Sequence, residues 1–357
     1  MSAKRIRFGI TAGMADARRY LDWGELAERS GFDLLGCGDS QCLVPELHVT
    51  LGALAVRTSR ALLCSTVTNP VTRHPAVVAS AFATVQQLAG GRARYCVGTG
   101  DSATAMVGEH PARMAEFAEC CRAFRALTNG DEAEYRGKRF RLEWEAPAVP
   151  LFIAAEGPRM LHLAGELGDG VLMGNGLTEE VIRDNLRRLR NGALEAGRDP
   201  EGIEPWFFTK VYLCESEDQA WEELAGTLAA SANHVFRGDV AEKFVPAKHV
   251  AALERLRAGY VSREHNGLVH APVRNAALVI ENGLIEFLGP RFLIAGPPHR
   301  VLERIEELAS WGATNLLLPA IFGDPFATTS RLAAEVLRPL GISEGSHGEV
   351  RRRRSPG

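Results

Sequence analysis

Residues 62–101 read LLCSTVTNPVTRHPAVVASAFATVQQLAGGRARYCVGTGD. Two apolar runs in this stretch, Leu62–Thr66 and Arg94–Gly98, have the length and composition of buried strands. Between them, Pro75–Leu88 has helical length, opens on a proline and stops ahead of Gly90-Gly91. A strand, a helix and a second strand in so short a span predict a βαβ unit, whose two strands must run parallel.

The same alternation continues outward in both directions. Further strands are expected at Arg5–Thr11, Leu34–Cys37, Leu151–Ala155, Gly170–Met173, Trp206–Cys214 and Asn315–Leu318. Helices are expected at Asp16–Ser30, Glu46–Arg57, Arg113–Thr128, Pro158–Leu167, Glu179–Glu195, His299–Ser310 and Ser330–Leu337. With the two quoted strands this gives eight, and no GxGxxG opening points to an open dinucleotide-binding sheet. The expected fold is an α/β protein, a (β/α)8 TIM barrel. A bare barrel takes about 250 residues, whereas the chain has 357, so insertions are required. One is a hairpin-like excursion at Glu132–Glu145 around Arg136-Gly137-Lys138, and the other is a largely helical segment, about 216–289, after strand seven. The barrel domain is expected to span 1–343, with 344–357 as a disordered tail that carries the basic run Arg351–Arg354.

The formal net charge of -3 argues against a nucleic-acid or membrane-surface partner. The N-terminus lacks the pattern of a signal peptide, and no run is long and apolar enough to span a bilayer. The seven cysteines are odd in number and form no CxxC pair. Cys37, Cys64, Cys96 and Cys214 fall in strand-like runs and read as small buried hydrophobes in a reducing cytoplasm. No histidines sit at i, i+4 with an acidic partner, so no metal site is expected.

Barrel active sites lie on the rim formed by the loops after the strands. Those loops are Gly38-Asp39-Ser40-Gln41, Thr66 to Pro75, Gly98-Thr99-Gly100-Asp101-Ser102, Glu156-Gly157-Pro158-Arg159 and Gly174-Asn175-Gly176. Five consecutive loops rich in glycine and polar groups, Asn69, Gly98 and Gly174 among them, describe a cradle for a large, planar, phosphorylated ligand. Gly157-Pro158 is the phosphate candidate, because it leaves the N–H groups of a helix start open to an anion. His74 is assigned to capping or packing at the start of the third helix, and Glu109-His110-Pro111 to the approach to the fourth.

Asp39, the stretch from Thr68 to Pro75, Gly98-Thr99-Gly100-Asp101, Gly157-Pro158-Arg159-Met160 and Leu167-Gly168-Asp169-Gly170-Val171 resemble the luciferase-like superfamily. The resemblance runs from about Phe8 to Glu335 and is strongest towards methylenetetrahydromethanopterin reductase-like proteins, which use the deazaflavin coenzyme F-420. It implies a non-prolyl cis peptide at Thr66-Val67, as a bulge against the cofactor ring. It implies Asp39 and Asp101 as catalytic acids or bases, with Asp39 also at the cofactor, and phosphate contacts from Glu156, Gly157, Met160 and Thr99. Deazaflavin relatives often follow the first of these acids with His, where this chain has Ser40. The implied activity is hydride transfer between reduced F-420 and a small organic substrate. The competing reading is an FMN-dependent monooxygenase served by a flavin reductase. A homodimer is expected in either case.

Overall fold

The computed structural model describes residues 5–237, 240, 242–261 and 273–342. Its barrel strands are β1 Arg7–Thr11, β2 Leu34–Cys37, β3 Leu62–Ser65, β4 Ala93–Val97, β5 Leu151–Ala154, β6 Gly170–Met173, β7 Glu204–Phe208 and β8 Asn315–Pro319. Each runs parallel to its neighbours, and β8 pairs with β1 to close the ring, Phe8 opposite Leu316 and Ile10 opposite Leu318. The chain is therefore the expected TIM barrel. The tail 344–357 lies outside the described residues.

Size alternation fills the barrel. Leu34, Cys64, Cys96, Phe152, Trp206 and Leu317 form one cluster inside it. A Cβ at Gly170 would meet the Phe152 ring at 2.5 Å, so the glycine makes room for that ring. The helices bury their other face against a larger shell that includes Trp23, Phe82, Phe124 and Ile305. Helix starts carry the caps the sequence offers. Asp16 accepts from the N–H of Arg19 at 3.0 Å, and His74 Nδ1 accepts from the N–H of Ala76 at 3.2 Å.

The hairpin insertion pairs Ala133–Tyr135 with Lys138–Phe140, turned by Arg136 and Gly137 at φ 51° and 70°. The longer insertion is helical at Glu217–Glu223, Ala225–Val235, Ala247–Gly259, Val273–Glu281 and Ile285–Phe292. It holds a core of its own around Leu228, Phe236, Leu256 and Leu288.

Three expectations are corrected here. The run Trp206–Cys214 is two strands, because Thr209 ends the barrel pairing and Lys210–Leu213 turns to pair with Leu293–Gly296. The strand Leu293–Gly296 was not expected at all; at four residues, following a helix that contains Pro290, it offers too little periodicity. The closing helix begins at Pro325, where Asp324 caps it, rather than at Ser330. Cys37, Cys64 and Cys96 are buried as expected, whereas Cys214 is half-buried just past its strand.

The helices after β5 and β6, Pro158–Leu167 and Glu179–Glu195, meet backbone to backbone. A Cβ at Gly165 would lie 2.1 Å from the carbonyl oxygen of Leu189, and one at Gly192 would lie 2.0 Å from that of His162. Neither neighbour is a side chain that can swing away. Gly192→Ala should therefore force the helices apart and cost about 1–3 kcal/mol in urea denaturation. An unchanged midpoint would contradict this seating.

Candidate active site

At the C-terminal mouth of the barrel, Val67, Ala154, Leu172 and Phe208 pack onto the interior cluster and form an apolar floor. The Thr66–Val67 peptide is cis, as the resemblance implies. Thr66 sits deep: its hydroxyl lies 3.1 Å from that of Thr11, and its N–H donates to the carbonyl of Cys37 at 2.7 Å. Only glycine fits opposite, because a Cβ at position 36 would meet Thr66 at 2.6 Å. Gly98 stands beside this bulge, with Val67 and Ala154 each 3.5 Å from where its Cβ would be.

Asp39 is buried and fully engaged. It accepts from both Arg73 guanidinium nitrogens at 2.7 and 3.0 Å, from Thr68 Oγ1 at 2.5 Å and from Gln41 Nε2 at 2.7 Å. Arg73 also reaches Glu46 at 2.9 Å. Asn69 accepts the N–H groups of Val71 and Thr72, both at 3.0 Å, and its own Nδ2 is buried with no partner among the described residues.

A second charged group stands across the mouth. Glu156, after β5, and Asp101, after β4, are joined by His234, which comes from the inserted helix Ala225–Val235. Its Nε2 lies 3.0 Å from Glu156 and its Nδ1 3.2 Å from Asp101. Arg237 adds contacts to Asp101 at 3.3 and 3.5 Å. Lys210, just past β7, donates to Ser231 at 3.1 Å and lies over the Phe208 ring. The charges tune one another. Attraction to Glu156, then the hydrogen bonds to Asp101 and Glu156, push the His234 imidazole up to about 10. The hydrogen bond from His234 chiefly, against the effect of burial, brings Asp101 down to about 2. Burial works against charge on Glu156, but His234, Lys210 and Arg237 outweigh it and hold its carboxyl low. Burial lowers Lys210 to about 8, against the pull of Glu156. At neutral pH the imidazole is therefore protonated and both carboxylates are ionised.

Gly174 leaves room for this group, since a Cβ there would press on the Glu156 carboxylate at 2.8 Å. Asn175, next in the chain, donates to the Glu156 carbonyl at 3.0 Å. Gly157 caps the helix that begins at Pro158, and open space surrounds its Cβ position. Met160 leans onto the core, so its backbone rather than its side chain is what that helix start offers.

A family model described as luciferase-like monooxygenase matches residues 2–315. The chain belongs to that family. The 5,10-methylenetetrahydromethanopterin reductase of Archaeoglobus fulgidus is 28% identical over 331 residues, covering 88% of this chain and 93% of that protein. An F420-dependent glucose-6-phosphate dehydrogenase of Beutenbergia cavernae is 29% identical over 362 residues, covering 95% and 98%. Among solved structures, the coenzyme F420-dependent tetrahydromethanopterin reductase from Methanopyrus kandleri superposes with a TM-score of 0.74 at 26% identity, over 94% of this chain and 99% of that one. The EDTA monooxygenase of a Chelativorans species shares the fold at a TM-score of 0.66 and 15% identity, over 96% of each chain.

In this luciferase-like chain the rim divides into two clusters. Thr66, Val67 and Gly98 meet at the floor, with Asp39 and Asn69 beside them. Asp101, Glu156 and Gly174 meet on the far side, and the Ser40 and Ser102 hydroxyls, 3.0 Å apart, connect the loops that bear the two aspartates. Thr99 is held by its carbonyl, which accepts from Ala112 at 2.8 Å. Sequence reasoning missed His234, Arg237 and Lys210. The one available signal was Asn233-His234 closing a helical, alanine-rich run.

The linked charges make stability depend on pH. The contribution of His234 is complete below its ordinary 6.5 and is lost as pH rises through about 10. That of Asp101 is present above its ordinary 3.8 and is lost as pH falls through about 2. His234→Gln should lower Tm at pH 7, and the gap to wild type should close as pH approaches 10. Tm curves that stay parallel across this range would show that the imidazolium contributes nothing.

Proposed function

We propose that the protein is an oxidoreductase that transfers hydride between the deazaflavin coenzyme F-420 and a small organic substrate. What carries the reading is the match, along nearly the whole chain, to a methylenetetrahydromethanopterin reductase and to F420-dependent glucose-6-phosphate dehydrogenases.

The residues present suit such a group. A flat ring needs an apolar bed with little side-chain bulk, which Val67, Ala154 and Gly98 provide. Its polar edge needs a donor, and the unpartnered Nδ2 of Asn69 is one. Its anionic arm needs N–H groups, which the helix start from Gly157-Pro158 to Met160 offers. When bound, the deazaflavin supplies or accepts hydride, two electrons at a time. The chain's own part is to position and to shield. The Asp39–Arg73 pair fixes the loop that carries Val67. The rim group from Asp101 to Lys210 bounds the opposite side and draws the inserted helices over the mouth. Asp101, held at about 2, is almost wholly ionised at neutral pH and serves as an acceptor that orients its neighbour rather than as a donor of protons.

Purified protein should quench the fluorescence of added F-420 with saturable binding and leave free FMN unbound. Tight FMN binding without affinity for the deazaflavin would place the chain with the FMN-dependent monooxygenases, and a flavin reductase partner would then be required.

We also propose a homodimer. Val49 and Val56, on the helix Leu47–Arg57, and Val77 and Leu88, on its neighbour Pro75–Leu88, expose between half and three quarters of their surface, Leu88 least at 50% and Val49 most at 73%. Side chains of this kind on adjacent helices are suited to an isologous contact. Light scattering should give twice the chain mass for the wild type, and the single chain mass for the double variant Val49→Glu, Val77→Glu. A monomeric wild type would end this proposal.

A further inference from the structure

We propose that His234, supplied by the insertion, is the proton donor of the site, and that the substrate it serves is a carbonyl compound reduced to an alcohol. The inference rests on the deazaflavin reading above.

Three observations lead to it. First, His234 is the described imidazole that joins the carboxylates of two barrel loops, Nδ1 on Asp101 and Nε2 on Glu156. Its side chain keeps 40% of its surface exposed, so the ring is within reach of solvent and can recover a proton from water. Second, the two carboxylates are not equivalent. Asp101 is held from its other side by Arg237, so it can keep Nδ1 and orient the ring while Nε2 changes partner. A carboxylate that fixes an imidazole through one nitrogen while the other handles a proton is a recurrent arrangement. Third, the groups that face the imidazole leave it charged. Asp101 comes from the loop after β4, Glu156 from that after β5, Lys210 from the end of β7 and Arg237 from the insertion. Among these, the carboxylates touch His234 directly, whereas the cations reach it through them.

The substrate class follows from the charge. Hydride delivered to a carbonyl carbon pushes the C=O π pair onto oxygen, and that oxygen must then take a proton. Nε2–H gives it, the N–H bonding pair stays on nitrogen, and the neutral imidazole is reprotonated from solvent. The reductant is the reduced deazaflavin, which leaves oxidised. The carbonyl oxygen takes the place of Glu156 at Nε2. An iminium acceptor, already cationic, needs no proton after hydride arrives. It would also have to lie against a group in which the three cations His234, Lys210 and Arg237 outnumber the carboxylates of Asp101 and Glu156, a balance of charge that disfavours binding.

The test uses full-length protein, chemically reduced F-420, and two kinds of probe: acetone and glyceraldehyde as carbonyl acceptors, and N-methylpyrrolinium as a cationic one. Wild type should oxidise the reduced cofactor with a carbonyl probe and not with the iminium, and its kcat/KM, which reads the free enzyme in which Glu156 still holds Nε2, should fall as pH rises towards 10. His234→Gln keeps a hydrogen-bonding side chain but cannot donate this proton. It should bind F-420 as tightly as wild type, by fluorescence, and reduce the carbonyl about 10²–10⁴-fold more slowly with the pH dependence gone. A His234→Gln variant with wild-type turnover, or a wild type that reduces the iminium and neither carbonyl, overturns the proposal. A variant whose turnover and F-420 affinity fall together also overturns it, by making His234 a binding or structural residue. Wild-type protein that binds no F-420 at all removes the deazaflavin reading itself, and this proposal with it.

Discussion

A carboxylate buried at the mouth of a barrel is stable as an anion only if a cation and hydrogen bonds replace the water it has lost. Asp39 receives both, through two contacts from Arg73 and one each from Thr68 and Gln41. The arrangement of the mouth depends on this pair. Arg73 lies beyond the bulge after β3, so its grip on the loop after β2 closes the intervening chain into a fixed shelf. Thr68 carries the connection further, since its N–H donates to Cys96 at 3.1 Å and its carbonyl accepts from Gly98 at 2.9 Å. Three successive rim loops thus behave as one piece, and the floor residue Val67 is held at its centre. Removing one member of such a buried pair typically costs about 3–5 kcal/mol, because the remaining charge is left without compensation.

The barrel was legible because its signal is local and repeated. Each strand is a short apolar run, helices such as Glu179–Glu195 carry an apolar stripe, several others open on a capping side chain such as Asp16 or His74, and eight such units in order admit few folds. The rim was legible for the same reason: Asp39, Thr66, Val67, Gly98, Asp101 and Glu156 all follow directly on a strand, and the topology alone brings them to one end. The far side of the mouth was not, because it is assembled across sequence. His234 lies 133 positions from Asp101 and 78 from Glu156, by subtraction of their numbers. Nothing in the pattern of an alanine-rich helix says which way its last turn will face. The strand Leu293–Gly296 escaped for a related reason, since its partner Lys210–Leu213 reads as a continuation of β7 and no periodicity marks where one sheet ends and the other begins.

The two halves of the mouth divide their labour by charge. The barrel loops contribute the acids, Asp101 and Glu156; the insertion contributes His234 and Arg237, and Lys210 stands where the two meet. Neither set is comfortable alone. Two carboxylates at the rim repel each other and any anionic ligand, and an uncovered cationic helix end has no fixed direction. Bringing them together satisfies both and sets the protonation state of each. The same contact that seats the insertion therefore also sets the electrostatics of the pocket, and a substitution in one half is felt as a shift of charge in the other.

The clasp formed by Lys210–Leu213 and Leu293–Gly296 has a further consequence. The long insertion leaves the barrel and returns to it on adjacent, hydrogen-bonded strands, so its two ends are held at a fixed separation whatever lies between them. The entropy of closing a loop grows only as the logarithm of its length, about 0.6 kcal/mol for each doubling. Lengthening, shortening or replacing the enclosed helices therefore barely burdens the barrel. In evolutionary terms the clasp is a socket: descendants of one scaffold can exchange the segment that roofs the pocket, and with it the groups that meet the substrate, while the eight strands and the shelf beneath stay as they are.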